Sequence, residues 1–294
     1  MPFRCSRASE NRLEAITGTA STVRAFLLVE TPGAWGVDAF AGGRSDDAAR
    51  RHLAAEAKRH RVRPLMIRRH GRSAPEQLTV FAAFADPAQP WVETTCVADP
   101  AELLDLDLAR LGAGHSPGLE PHPDPLFLVC THGKHDACCA ERGRPLASAL
   151  SRVQPECTWE VSHIGGDRFA GNMLVLPEGL YYGRLSPPDA VAVADRHRSG
   201  HLDLEHLRGR CSYPFAVQAA ETFLRAELGS TELSAVGLLS VTRDSDETTA
   251  VFAAGAGSWQ VVVRTVGAAA EQLTCRAART NPGVVHTLGS ITPQ

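Results

Sequence analysis

The sequence predicts an α/β protein of two tandem lobes, each a mixed sheet flanked by helices, followed by a β-rich C-terminal appendage. Three observations predict this. Apolar runs alternate with helical stretches in the same order in both halves. A stretch rich in Gly, Pro and His with no periodicity separates the halves, and the tail is a series of short alternating segments broken by Gly, Asp and Ser.

In the first lobe RAFLLVE (24–30) reads as a strand, SDDAARRHLAAEAKRH (45–60) as a helix opened by capping residues, and RPLMIRR (63–69) as a second strand. QLTVFAAF (77–84) and WVETTCVA (91–98) add two strands. DPAELLDLDLARLG (99–112) reads as a helix with Asp99 as N-cap and Gly112 past its end. GAGHSPGLEPHPDP (112–125) is the linker, which sets the lobes at residues 1–118 and 119–230 and the appendage at 231–294. In the second lobe PLFLVC (125–130) is a strand and CAERGRPLASALSRV (139–153) a helix. TWEVSHIGG (158–166) and NMLVLPEGLYYG (172–183) read as a strand and a strand or hairpin, and 186–200 and 212–229 as helices. Strand, helix, strand, two strands and helix, met twice, is the order two thioredoxin-like lobes would give. The tail segments 233–243, 248–257, 259–266 and 271–279 are expected as antiparallel strands.

With 294 residues the chain can bury a proper core without disulfide staples. No window approaches the ~20 apolar residues of a membrane span, and the N-terminus lacks the apolar core of a secretory signal. A soluble, cytoplasmic protein with no membrane partner is expected. A net charge of −3 offers no basic field for nucleic acid, although Arg68, Arg69 and Arg72 form a local cluster.

Eight cysteines in such a protein point to metal or redox chemistry before a disulfide framework. Cys5, Cys96, Cys157, Cys211 and Cys275 stand alone and read as small buried hydrophobes. Cys130, Cys138 and Cys139 cluster in CTHGKHDACC (130–139). The eight residues between Cys130 and Cys139 form a strand-to-helix loop that can fold back, so two thiolates can face one ion or cluster. In SHIGGDRFAGN (162–172) the Gly165-Gly166 turn lets His163 and Asp167 point the same way. Zinc is possible, but structural zinc knuckles use tighter cysteine spacing. A pair of thiolates plus a pair containing an imidazole suits a [2Fe-2S] cluster better.

The runs CTHGKHDACCAERGRP and SHIGGDRFAGNMLVLPEGLYYGR resemble the sucrase/ferredoxin-like family of thioredoxin-like ferredoxins. The resemblance is strong over about residues 125–230 and looser in the GTA, FLLVE and PGAWG elements of 18–36. It implies a thioredoxin-like fold and a [2Fe-2S] centre held by a C-x8-C pair and an H-x3-H pair. The matching positions here are Cys130, Cys139, His163 and Asp167, the last departing from the family's histidine. Asp167, being a harder ligand than imidazole, leaves three readings of the fourth position: Asp167 itself, Cys138 as a third thiolate, or a position that is open or served from elsewhere. His132, His135 and Arg168 are expected beside the cluster, tuning it without ligating it. Asn172 is expected to brace the turn, and Arg208 and Arg210 to be solvated, with a docking face as the sharper alternative.

These readings make the chain an electron carrier with a redox partner protein. A thiol-dependent oxidoreductase and a zinc-stabilised binding module are the rivals. The CxxC redox spacing is absent, and vicinal Cys138 and Cys139 do not readily form a disulfide. A sucrase would need two carboxylates flanking a sugar pocket, and no motif supplies them.

Overall fold

The computed structural model describes residues 2–37, 40, 48–71 and 75–294. The expected helix cap at Ser45–Asp47 and the third member of the arginine cluster, Arg72, lie outside the described residues. A short helix that the sequence did not announce, α1 (Cys5–Asn11), precedes the first lobe.

The first lobe is β1 (Ala25–Glu30), α2 (Ala48–Arg59), β2 (Val62–Arg68), β3 (Leu78–Phe84) and β4 (Trp91–Val97). β1 is buried along its whole length, as its unbroken apolar run requires of a central strand. The helix expected over 99–112 is two pieces: a 3-10 turn, Pro100–Asp105, closed by a capping box between Asp99 and Glu102, and α3 (Leu108–Gly112), capped by Asp107. Leu106 is extended between them, because Asp107 has the side chain to start a new helix and takes the Arg110 amide. A two-residue strand, β5 (Glu120–Pro121), follows.

The second lobe repeats the plan: β6 (Leu126–Cys130), α4 (Ala137–Val153), β7 (Thr158–Val161), the hairpin β8 (Met173–Leu176) and β9 (Leu180–Tyr182), and α5 (Pro187–Arg198). β10 (Leu207–Arg210) and α6 (Phe215–Leu228) complete it. In each lobe the first strand is flanked by the second, parallel to it, and by the third, antiparallel, with the fourth outside. That is the strand order of a thioredoxin-like unit. The two units share one ten-stranded sheet, ordered β10-β9-β8-β6-β7-β2-β1-β3-β4-β5. Its middle is the antiparallel pairing of β2 with β7, where Ile67 stands opposite Val161 and Arg68 opposite Glu160. One core spans the seam, with Phe26, Leu28 and Ile67 from the first lobe against Leu128, Trp159 and Val161 from the second.

The tail is a separate antiparallel sheet, β11 (Val236–Asp244), β12 (Glu247–Ala254), β13 (Gly257–Glu271) and β14 (Asn281–Pro293), packed on α6 through Val217, Leu224, Phe252 and Val261. Residues 271–279, expected as a strand, mostly form the loop that joins β13 to β14. The last strand lies further on, where Val285 and Ile291 pair with Val266 and Val261. This long hairpin carries its loop back to the start of α4, where the Cys275 amide donates to Asp136 at 2.6 Å.

Candidate metal centre

The site forms where β6 and β7 end. Cys130 is the last residue of β6, and the chain turns through 131–136 into α4, whose N-cap is Asp136; its Oδ1 accepts from the Cys138 amide at 2.8 Å. Cys138 and Cys139 sit on the first turn of α4, about 100° apart around the helix axis, so they cannot face the same way. Cys139 turns towards Cys130. α4 can lie this close to β6 because Gly143 has no side chain: a Cβ there would collide with the Cys130 carbonyl.

Beyond β7, His163 and Asp167 are held by a turn in which Gly165 and Gly166 have φ of 99° and 78°, a region where only glycine is free of strain. The turn is braced from both sides. Asn172 Nδ2 donates to the Gly166 carbonyl at 2.9 Å, and the buried Arg208 donates to the Gly165 carbonyl at 2.9 Å and to Asn172 Oδ1 at 3.0 Å. The first lobe contributes Arg63, whose Nη2 donates to the His163 carbonyl at 2.9 Å.

The donor atoms of Cys130, Cys139 and His163 lie within 4.8 Å of one another, as do those of His135, His163 and Asp167. Asp167 joins the two groups: its Oδ1 is 3.2 Å from Cys139 Sγ and 2.9 Å from His163 Nδ1, and its Oδ2 is 3.7 Å from His135 Nε2. His163 Nδ1 is buried and makes no aligned hydrogen bond despite that closeness. The thiols are 2% and 1% exposed, whereas the two imidazoles reach a cleft walled by Arg63, Pro64 and Leu65. The site is therefore closed on its sulfur side and open on its nitrogen side.

The charges are coupled. A hydrogen bond from Cys139 outweighs burial and, with His163, holds the Cys130 thiol well below its usual range. The same bond, with burial and Asp167, pushes Cys139 well above it. Burial opposes charge on His163, yet Asp167 and Cys130 carry its pKa up to about 9; burial likewise opposes charge on Asp167, and His163 outweighs it to lower that carboxyl. The shifts favour charge on Cys130, His163 and Asp167 and the protonated form of Cys139. A metal would displace the protons of Cys139 and His163.

The other expected neighbours divide. His135 stacks on His163 with ring centroids 3.7 Å apart. His132 is buried one step away, its Nε2 2.6 Å from the Gly36 carbonyl and its ring edge-on to Trp35. Arg168 turns aside, donating to Glu14 at 2.6 Å and lying over the Phe169 ring. Arg208 and Arg210 are not solvated. Arg208 is spent on backbone carbonyls and Asn172, and Arg210 pairs with Glu221, itself bonded to buried Arg225.

Cys138 is not brought to Cys130 and Cys139. Its sulfur lies 3.7 Å from Cys5 and 3.4 Å from Cys275, two cysteines whose sequence surroundings gave no sign of partnership. They are not isolated buried hydrophobes, and Cys96 is exposed; Cys157 and Cys211 do sit in the core.

A thioredoxin-like α/β protein in which buried thiols and a buried carboxylate meet a partly exposed imidazole, a set that could hold a metal ion, is the class these features define. The chain belongs to the sucrase/ferredoxin-like family, whose profile matches residues 16–209. Among curated proteins it is similar to altered inheritance of mitochondria protein 32 of Meyerozyma guilliermondii, 32% identical over 82 residues, 24% of this chain and 29% of that protein. The protein of the same name from Saccharomyces cerevisiae is 30% identical over 99 residues, 29% of this chain and 32% of the relative. That from Kluyveromyces lactis is 39% identical over 56 residues, 19% and 17% of the two chains. The match thus spans less than a third of these relatives. No solved structure matches the chain. Among the described residues no helix is long and apolar enough to cross a membrane.

Proposed function

We propose that the chain is a [2Fe-2S] electron-transfer protein, with Cys130 and Cys139 serving one iron and His163 and Asp167 the other. The observation that carries this reading is the donor set. A buried thiol pair from one strand-to-helix turn meets an imidazole and a carboxylate from another, and the imidazole's buried Nδ1 has no aligned partner of its own. Such a set suits a cluster that takes thiolate at one iron and harder donors at the other. When bound, the cluster would supply one-electron chemistry. The residues do the rest: burial of Cys130 and Cys139 excludes water and oxidants, and the half-exposed His135 and His163 mark the face a redox partner protein would approach. Eight free cysteines suit a reducing compartment, and we place the chain in the cytoplasm.

A thiol-exchange enzyme is the weaker reading, because attack needs an accessible sulfur and Cys130 and Cys139 have almost none. A single metal ion is favoured by one observation, the closeness of Cys130, Cys139 and His163 to one another. Anaerobic purification separates the readings. Iron and acid-labile sulfide in equal amounts with visible thiolate-to-iron absorption are expected. A colourless protein that also fails cluster reconstitution, or one whose metal at Cys130 and Cys139 is zinc, overturns the proposal.

A further inference from the structure

Six thiols remain outside that site, and three of them meet. Cys5 lies in α1, Cys138 on the first turn of α4, and Cys275 in the loop between β13 and β14. Their sulfurs form a nearly equilateral triangle, with sides of 3.7, 3.4 and 3.6 Å. These separations exceed a disulfide bond of about 2.05 Å. They approach the ~3.8 Å edge of a tetrahedron whose zinc–sulfur bonds are about 2.3 Å.

Sulfurs in simple contact could also stand so, and Asp136 is what distinguishes the two cases. Its side chain is 0% exposed, and both its oxygens lie 3.7 Å from Cys5 Sγ. Each oxygen already accepts one amide, from Cys138 at 2.8 Å and from Cys275 at 2.6 Å, which fixes the carboxylate, and its remaining acceptor capacity faces the Cys5 thiol, whose proton a metal would displace. Among the described residues neither Lys nor Arg pairs with Asp136. A fully buried carboxylate is normally paired with a cation or bound to a metal. The Cys5 amide also points at Cys275 Sγ at 3.5 Å, the kind of N–H contact that supports a metal-bound thiolate.

We infer that Cys5, Cys138 and Cys275, with Asp136, form a second metal site that takes one zinc ion in a closed structural role. Three soft sulfurs exclude calcium and magnesium, which take oxygen ligands. Four protein donors, three of them almost fully buried, leave no coordination position for a substrate. The ion would tie α1, the start of α4 and the hairpin of the C-terminal sheet into one knot, although these segments are 133 and 137 residues apart along the chain. Cys138 and Cys139 are neighbours, so the knot would also steady the turn that presents Cys139 to the first site.

This inference does not rest on the [2Fe-2S] reading. Zinc is measured by mass spectrometry in the full chain, purified without chelator, and in two variants: Cys275→Ser, and the double variant Cys130→Ser/Cys139→Ser. Expected is about one zinc per chain in the parent and the double variant, and a loss of at least tenfold in Cys275→Ser. Cys275 lies in a half-exposed loop, so this variant should keep its fold, which circular dichroism checks. Cobalt added to zinc-stripped protein should give the intense visible bands of a tetrahedral thiolate site in the parent and not in Cys275→Ser. Zinc that disappears with Cys130 and Cys139 instead, a Cys138–Cys275 disulfide in the peptide map, or cobalt spectra that do not differ between parent and Cys275→Ser overturns the inference. Zinc behaving as expected in a protein without iron would leave this site standing and remove only the cluster.

Discussion

Arg68 of β2 and Glu160 of β7 are register partners at the seam between the lobes, and their side chains form an ion pair of 2.6 Å. Glu160 is buried and also meets His70 at 2.7 Å and the Thr131 hydroxyl at 2.8 Å, while Arg68 lies over the Trp35 ring. Thr131 follows Cys130, and Trp35 abuts His132, so the pair joins the lobes and backs the candidate metal centre at once. Burial alone would raise the Glu160 carboxyl; His70 and Arg68 outweigh it and lower its pKa. A carboxyl depressed by folding stabilises the native state fully above its unfolded pKa of about 4.3, and that contribution fades as pH falls through the folded value. Urea unfolding should therefore show Glu160→Gln losing about 2–3 kcal/mol at pH 7 and much less below pH ~4, with a shallower acid limb than the parent. Equal losses at both pH values would assign the effect to packing.

The turn before Asp167 makes a sharper demand on one residue. Gly166 has positive φ, and a Cβ there would strike the Arg208 guanidinium. Gly166→Ala should cost about 1–3 kcal/mol in chemical denaturation and lower metal retention, because Arg208 and Asn172 can no longer hold the turn. Gly200 also has positive φ but meets nothing within 4 Å, so Gly200→Ala is the control: some stability lost, metal retained.

The Gly-Gly turn was legible in the sequence because only glycine permits it, and β1 and β6 were legible because unbroken apolar runs belong in the middle of a sheet. Two prolines in its first turn and Gly200 past its end made α5 readable too, and the structure adds a capping box between Ser186 and Asp189. What could not be read depends on long-range contacts. Nothing local pairs Arg68 with Glu160 or sets Cys5 beside Cys275, 270 residues later. Arg208 looked solvated because an arginine buried on backbone carbonyls has the same neighbours in sequence as an exposed one. Leu106 split an expected helix because Asp107 is as good a cap as Asp99.

Arg63 gives the first lobe a direct part in the site through its hydrogen bond to the His163 carbonyl. Arg63→Ala should cost only about 1 kcal/mol of stability, since a single hydrogen bond is lost at a partly exposed position. The rate at which a chelator strips metal should nevertheless rise several-fold, because the peptide bearing His163 loses its tether. Stripping at the parent rate would show that β7 and the glycine turn suffice to place His163.

In the proposed cluster the fourth donor is a choice between Asp167 and His135. Asp167 is buried and close to both Cys139 and His163, whereas His135 is more exposed, stacked on His163, and offers a nitrogen donor. Asp167 is favoured by burial and by contact with both groups of donors, and His135 by the softness of its nitrogen. If Asp167 ligates, Asp167→Ala should lose the metal or distort its absorption spectrum, and His135→Ala should leave stoichiometry intact. Asp167→His should then retain metal longer against chelator and shift the reduction potential upward, since a neutral imidazole replaces an anionic oxygen that favours the ferric state. The reverse pattern, with His135→Ala stripping the site and Asp167→Ala keeping it, would make His135 the ligand and Asp167 the carboxylate that orients His163.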